Sequence, residues 1–397
     1  MAGGLPSGGS PAQAHWSNLL ALGDEAVADG RFADALEHCK NAFLIAKDFG
    51  PESAWLAESC IRLADVCAAL EQRRAALRLY RQGVAILGRL PDGVSSRLAH
   101  AVSNLARLRL LNGETARAVE LTAAANALQR KLNMPDSPAI KLNLALVEAT
   151  ARRDPEAERA FTEALAATER NRARIGALAF AVHDNFAQFC IGQGRMADAE
   201  MMLRSCLILR QEAAGPRHPV YADGLVNLAR LNLLHDSEEE AEALLWTAAD
   251  VYRQHSGASD ARLVEAIYLL ARIALRGDRA ADVEELRSQL LGLGEQDTSN
   301  SPAAQAAALH LWTLLRLAGP ERLTTEAPMR RALALADGLK GDVRRLRDDI
   351  SGDLLCELSE LLAETGKGAE AERLMAQADE IRGRPRWAVA GFVFSAP

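Results

Sequence analysis

The chain has 397 residues, of which 49% are hydrophobic, 25% are charged and only 5% are aromatic. This composition supplies enough apolar material for a core, and its abundance of alanine and leucine favours closely packed helices over a sheet protein. The formal net charge of −7 argues against nucleic acid as an obligate partner, because phosphate binding requires a basic face.

The N-terminal stretch MAGGLPSGGSPAQ has neither a basic start nor an apolar centre, which argues against a secretory signal. We expect residues 1–14 to be a disordered leader. No apolar stretch reaches the length of about 20 residues that a bilayer requires, so no membrane span is expected. The six cysteines lie inside apolar helical patterns without a C-x-x-C pair. They predict buried thiols in a reducing compartment, and hence a cytoplasmic location.

A repeated pattern runs through the chain: nine times, a bulky apolar residue stands eight positions before a predicted turn. Successive turns are 39 to 47 residues apart. Self-similarity at this period is typical of stacked supersecondary units that bury a continuous core between neighbours. The apolar residues are Leu22, Leu63, Leu105, Leu144, Phe186, Leu228, Leu269, Leu311 and Leu358. The predicted turns lie at Gly30, Glu71, Gly113, Arg152, Gly194, Asp236, Gly277, Gly319 and Gly366.

Residues 94–132 illustrate one unit. In its first half, helix A, apolar residues recur every three or four positions from Leu98 to Leu111, which predicts one buried stripe. Gly113 is suited to the left-handed conformation that ends a helix. The second half, helix B, carries an inner face of alanine and leucine. Each unit is therefore predicted to be a helical hairpin.

Small residues recur at two positions of the hairpin, directly after the bulky residue of helix A and five residues after the turn. Facing small side chains let helices A and B approach closely. The helix A positions hold Gly23, Ala64, Ala106, Ala145, Ala187, Ala229 and Ser359. The helix B positions hold Ala35, Ala76, Ala118, Ala157, Ala199, Ala241 and Ala371.

Residues 215–244 carry the pattern most fully, in the segments GPRHPVYA, LVNLARL and EAEAL. They resemble the tetratricopeptide repeat (TPR) family, and in particular its kinesin-light-chain-like subtype with a period of about 42 residues. HEAT and armadillo arrays have similar periods, but the glycine turns and small residues favour TPR. The resemblance covers roughly residues 15–383. It implies an all-α, right-handed α-solenoid (superhelix) of about nine TPR-like hairpins, whose A helices line the concave face.

The seventh and eighth repeats depart from the small-residue rule at both positions, and the polar stretch 292–302 lies between them. Ordinary drift near the end of an array and a functional hinge or docking site are both consistent with this. The positions in question hold Leu270, Trp312, Asp282 and Thr324. The predicted organisation is six regular repeats over 15–257 and three irregular repeats over 258–383.

The C-terminal stretch 384–397, RPRWAVAGFVFSAP, is an apolar tail that is too short to cross a membrane. One interpretation is a cap over the last repeat. The other is a segment that pairs with a partner or with a second copy, which would make self-association possible.

No catalytic motif is present. The sequence has no H-E-x-x-H, G-x-S-x-G or calcium-loop pattern, and its histidines lack partners at metal-ligand spacing. We therefore expect a non-enzymatic protein without metal or cofactor.

Asparagine stands nine positions before the turn in four consecutive repeats, although the chain has only twelve asparagines. Asparagine is poor in a helix interior, but its amide both donates and accepts, as pairing with a peptide backbone requires. Polar residues three positions further on are surface neighbours, and guanidinium groups suit acidic side chains. The alternative is that the asparagines tie adjacent A helices together. The candidate peptide-binding residues are Asn104, Asn143, Asn185, Asn227, Arg62, Arg107, Gln188 and Arg230.

The sequence thus predicts a non-catalytic adaptor or scaffold that binds an extended peptide or a partner helix in the concave groove. In the alternative interpretation, the chain is a structural subunit or assembly factor. It would then contact a larger complex through its convex face and C-terminal tail, with the groove empty or filled by its own chain.

Overall fold

The computed structural model describes residues 10–28, 31–91, 93–134, 137–170, 176–256, 261–296, 301–317, 321–339 and 344–383. Over these ranges the chain forms 18 α-helices, one short 3-10 helix (Arg322–Thr324) and no strand. The A helices are α1 (Pro11–Ala28), α3 (Ala54–Ala69), α5 (Ser96–Leu111), α7 (Pro138–Thr150), α9 (Ala177–Gly192), α11 (Pro219–Leu234), α13 (Ala261–Arg276), α15 (Ser301–Leu317) and α17 (Arg344–Glu364). The B helices are α2 (Phe32–Asp48), α4 (Arg73–Arg89), α6 (Thr115–Lys131), α8 (Asp154–Arg170), α10 (Met196–Ala214), α12 (Glu238–Ser256), α14 (Ala280–Gln296), α16 (Glu326–Asp337) and α18 (Gly368–Gly383).

Within each unit, helices that are consecutive in the chain pack against each other, from α1 to α8 in unit 1 and from α10 to α18 in unit 2. The predicted all-α solenoid of about nine hairpins is therefore confirmed.

Left-handed residues end the A helices at six of the predicted turns, with φ between +54° and +80°. At each turn the next N–H donates to the carbonyl five residues earlier, as from Gln72 to Cys67 (2.8 Å) and from Lys367 to Leu362 (2.9 Å). This is the Schellman arrangement, which satisfies the last carbonyls of a helix. The confirmed turn residues are Glu71, Gly113, Arg152, Gly194, Asp236 and Gly366.

The predicted turn at Gly277 is wrong by one residue. Asp278 has the left-handed conformation, with φ +55°, and the N–H of Arg279 donates to the carbonyl of Ala274 at 2.8 Å. Aspartate tolerates this conformation better than most residues with a side chain, so the neighbouring glycine is not required there.

The one-residue shift changes how the seventh repeat is interpreted. Counted from Asp278, the bulky residue of helix A is Leu270 and the small residue after it is Ala271, so α13 follows the small-residue rule. Only the helix B position departs, because it holds the buried Val283, while Asp282 is exposed.

The small residues of the regular hairpins are buried between helices A and B. The helix A alanines Ala64, Ala106 and Ala145 are fully buried, and so are the helix B alanines Ala76 and Ala118. Dense packing of this kind leaves no room for larger side chains at these positions without movement of a helix.

The described residues divide into two compact units, one ending at Phe189 and the other starting at Cys190. The core of unit 1 includes Trp16 and Tyr80, and the core of unit 2 includes Tyr252 and Tyr268. The division into regular and irregular repeats near residue 258 uses a different criterion and stays a prediction.

The ends and the polar stretch differ in part from expectation. Helix α1 begins at Pro11, so the last four residues of the predicted leader are helical, whereas residues 1–9 and the tail 384–397 lie outside the described residues. The polar stretch 292–302, whose glycines favour a loop, is instead helical over its first five and last two residues, because α14 continues to Gln296 and α15 begins at Ser301. Single glycines cost a helix only about 1 kcal/mol, which packing offsets.

Candidate functional site

Two of the predicted asparagines lie side by side between neighbouring A helices of unit 1. Asn143 of α7 donates through Nδ2 to Ser103 Oγ at 3.0 Å and to Asn104 Oδ1 at 3.3 Å. Asn104 of α5 in turn donates to Asp65 Oδ1 of α3 at 3.1 Å. Both asparagines are buried, with 2% and 3% of their surface exposed. These amides tie three A helices together, and their role in binding a peptide stays a prediction.

Asn185 of α9 differs from these two. Its Nδ2 donates to the carbonyl of Ala181 in its own helix at 2.7 Å, and the residue is fully buried. Its Oδ1 accepts no hydrogen bond from any residue that the structure describes. Leaving a buried amide oxygen without a donor lowers the stability of the folded chain by about 1–3 kcal/mol, so an added N–H or O–H at this position would be favourable.

Asp65 joins the same network and was not identified from the sequence. Its Oδ1 accepts from the hydroxyl of Tyr80 as well as from Asn104. Burial raises the pKa of the Asp65 carboxyl to about 7, against the hydrogen bonds from Tyr80 and Asn104 and the charge of Arg62, which lower it. Its position in the repeat could have identified it. Asp65 stands six positions before the turn residue Glu71, and the candidate Arg107 stands six positions before the turn residue Gly113.

The arginines of unit 1 have different surroundings. The guanidinium of Arg62 contacts Asp24 Oδ1 at 2.8 Å and Glu58 Oε1 at 2.9 Å, so carboxylates of the chain offset its charge. Arg107 is buried, and burial lowers its pKa to about 10, which leaves it cationic at neutral pH. Gln188 is half-buried on α9.

In unit 2 the predicted residues are engaged by helix α17. Asn227 Oδ1 of α11 accepts from the guanidinium of Arg345. The guanidinium of Arg230 contacts Glu265 Oε1 of α13 and Asp349 Oδ2 of α17, each at 2.7 Å. Burial lowers the pKa of Arg230, but the charges of Asp349 and Glu265 outweigh it and raise the pKa above its ordinary value.

Arg272 continues the arginine row into α13 and was missed because of the one-residue error at the turn. It stands six positions before Asp278, and its guanidinium lies 2.8 Å from Asp353 Oδ2 of α17. Beside it, a cavity of about 290 Å³ lies between α13, α15, α17 and α18. Charged side chains of both signs line this cavity, among them Arg276, Glu357 and Arg382.

The remaining chemistry of the described residues is limited. They contain no group of three His, Cys, Asp or Glu side chains arranged to hold a metal ion. All six cysteines are buried free thiols, and burial raises the pKa of Cys39 and Cys60 to about 12. Within the described ranges, no helix has both the length and the apolar character that crossing a bilayer requires.

The stacked hairpins define a helical repeat protein, and its polar residues lie between the A helices. A family model described as tetratricopeptide repeat matches residues 16–88 and 178–254. Each matched segment contains the helix ends and small residues described above. Residues 16–88 and 178–254 therefore carry tetratricopeptide repeats, and the match supports assigning the chain to that family of helical repeat scaffolds.

Solved structures with the same fold cover nearly the whole chain at low sequence identity. The apo form of RapI has a TM-score of 0.61 and 10% identity, over 93% of this chain and 99% of its own. The apo form of the quorum sensor NprR from B. thuringiensis has a TM-score of 0.58 and 12% identity, over 94% and 98%. A Rap protein complexed with Competence and Sporulation Factor has a TM-score of 0.52 and 13% identity, over 94% and 98%. No match was found among curated protein sequences.

Proposed function

We propose that this chain is a non-catalytic adaptor that binds an extended peptide or a partner helix along the A helices of unit 1. The observation that carries this proposal is the buried Asn185 Oδ1, which has no donor among the described residues. A backbone N–H of a bound segment would supply one. Because Asn185 is fully buried, a ligand reaches it only when neighbouring inner side chains move apart.

The arginines of the A helices suggest the charge of the partner. Arg62 and Arg107 lie on α3 and α5 of unit 1, and guanidinium groups suit carboxylates. We therefore expect an acidic segment to suit unit 1 better than a basic one. Both side chains also interact within the chain, as Arg62 does with Asp24 and Glu58.

The similar structures are compatible with binding of this kind. One is a Rap protein in complex with Competence and Sporulation Factor, and another is a quorum sensor. At 13% and 12% identity they share the fold with this chain, so the binding of a partner by this chain rests on its own residues.

The test compares Asn185→Ala with two other asparagine variants. Partners would be captured from the native cell extract, identified by mass spectrometry and titrated with pure protein. We expect Asn185→Ala to weaken binding by about tenfold, the worth of one buried hydrogen bond. Asn112→Ala, at an exposed helix end, should bind as wild type. Asn104→Ala should lower stability, because its amide is committed to Asp65 and Tyr80.

A second candidate function is favoured by the internal contacts of the asparagines and arginines. If the amides of Asn104 and Asn143 only hold A helices together, the chain acts as a structural subunit that contacts a larger complex through its outer face and the segment 384–397. In that case the captured partner would be retained by Asn185→Ala and lost when residues 384–397 are removed.

A further inference from the structure

Helix α17 is longer at its N-terminal end than α11 and α13, the other A helices of unit 2 whose turns the structure describes. It has 21 residues, whereas α11 and α13 have 16 each. All three helices end two positions before the left-handed residue of their turn, so the additional length lies at the start of α17. The additional residues, 344–348, amount to about one and a half turns of helix. A regular hairpin does not require this extension.

The extension and the residue directly after it contact both predicted binding residues of α11. Arg345 donates to Asn227, and Asp349 accepts from Arg230 at 2.7 Å. Residues four apart are neighbours on one face of a helix, as are residues three apart. The pair on α17 is four positions apart and the pair on α11 is three positions apart, so each lies on one face of its helix. The Asp349 carboxylate complements the charge of Arg230, and the Arg345 guanidinium donates to the neutral amide of Asn227. The bonded partners are far apart in the sequence, at separations of 118 and 119.

The contact is desolvated and specific. Asn227 and Asp349 are both buried, and Arg230 has a second carboxylate partner in Glu265. Between the two residues of α17 that bond to α11, Arg347 and Asp348 pair with each other at 2.7 Å, and Leu346 is fully buried in the apolar core of unit 2. The hydrogen bonds between α17 and α11 involve an arginine and an aspartate that are four positions apart on α17.

We propose that α11 is a docking site for a helix with this Arg-x-x-x-Asp spacing, and that α17 is its internal occupant. The fitting partner is an amphipathic helix with a basic residue followed four positions later by an acidic one. It binds by displacing the first turns of α17 from Asn227 and Arg230. This inference rests on the proposed function only in that the chain binds protein segments, and it concerns unit 2 alone.

The probe is a fluorescent synthetic peptide with the sequence of residues 344–364, carrying Cys356→Ser and titrated against the full-length chain by anisotropy. The double variant Arg345→Ala, Asp349→Ala releases the internal contact. We expect it to bind the peptide at least tenfold more tightly than wild type does. The matched control Arg347→Ala, Asp348→Ala removes the same residue types from the same helix and should bind as wild type.

Two results would overturn the inference. One is equal affinity of wild type and the Arg345→Ala, Asp349→Ala variant for the peptide. The other is undiminished binding of a peptide that has alanine at the positions of Arg345 and Asp349. If circular dichroism shows that the double variant is unfolded, Arg345→Ala alone is compared, with an expected gain of at least threefold and the same criterion. A negative result for Asn185→Ala leaves this experiment unaffected, because it tests α9 of unit 1.

Discussion

Asp65 has two donors on one carboxylate oxygen, while the other, Oδ2, is buried and accepts no hydrogen bond from the described part of the chain. Asn104 completes the network by bonding on to Asn143 in the next repeat. The position that suggests a ligand contact in the sequence is thus, in the structure, part of a polar core. Within such a core, the protonation of the acid affects the stability of the whole stack.

Stability should therefore fall as pH rises through the range in which Asp65 ionises. The pKa is raised from an ordinary value of 3.8 to about 7, so between these values the folded state holds a proton that the unfolded state has released. In this range the free energy of unfolding falls by up to about 1.4 kcal/mol for each pH unit. Denaturant unfolding between pH 4 and 8 should show this loss in wild type and not in Asp65→Asn. If the free energy of unfolding changed with pH in the same way in both proteins, the raised pKa of Asp65 would be contradicted. The control is Asp48→Asn, at an exposed helix end, which should keep the pH dependence of wild type.

At the scale of the helix, local chemistry determines where each A helix ends. A left-handed residue at the turn and a hydrogen bond back to the last helical carbonyls recur from hairpin to hairpin, with glycine, glutamate, arginine or aspartate at the position. Glycine adopts this conformation without steric cost, whereas a side chain adds strain. The composition of a turn therefore indicates its place to within about one residue.

The seventh turn offers a direct test of that placement. Asp278 has φ +55°, so Asp278→Gly should raise the free energy of unfolding by about 0.5–1 kcal/mol. A Cβ at Gly277 would meet only the flexible side chain of Arg279 within 3.4 Å, so Gly277→Ala should be nearly neutral. Denaturant unfolding of the two variants measures both effects. A large loss of stability in Gly277→Ala with no gain in Asp278→Gly would show that Gly277, and not Asp278, is the left-handed residue of the turn.

At the scale of the molecule, the energetics should follow the stacking. In a repeat array each hairpin contacts mainly its neighbours, so a local defect spreads only as far as nearest-neighbour contacts carry it. Phe161 of α8 is fully buried, and its ring stacks on Phe186 of α9 with centroids 5.1 Å apart. These rings belong to unit 1, which has its own apolar core.

Phe161→Ala should cost about 3–5 kcal/mol and destabilise unit 1 selectively. Hydrogen exchange followed by mass spectrometry should show faster exchange in α7, α8 and α9, with α13 and α17 as protected as in wild type. An equal loss of protection in both units would show instead that the chain unfolds as one cooperative body.

The sequence by itself determined the repeat, its period of about 42 residues, the two helices of each hairpin and most of their ends. These features depend on local rules, namely apolar periodicity, small residues at close approaches and left-handed turns. Its error at Gly277 was also local, since aspartate and glycine compete for the same conformation one residue apart. Because of this one-residue error, Arg272 was not identified as a candidate from the sequence.

Only the tertiary structure decided what the polar residues of the A helices contact. The sequence places Asn104, Asn143 and Asn227 at equivalent positions, but their partners lie 39 to 118 residues away in the chain. Those partners depend on how each hairpin is oriented on the one before it. In a repeat array this orientation is set by the contacts between neighbouring hairpins, which no local sequence pattern specifies.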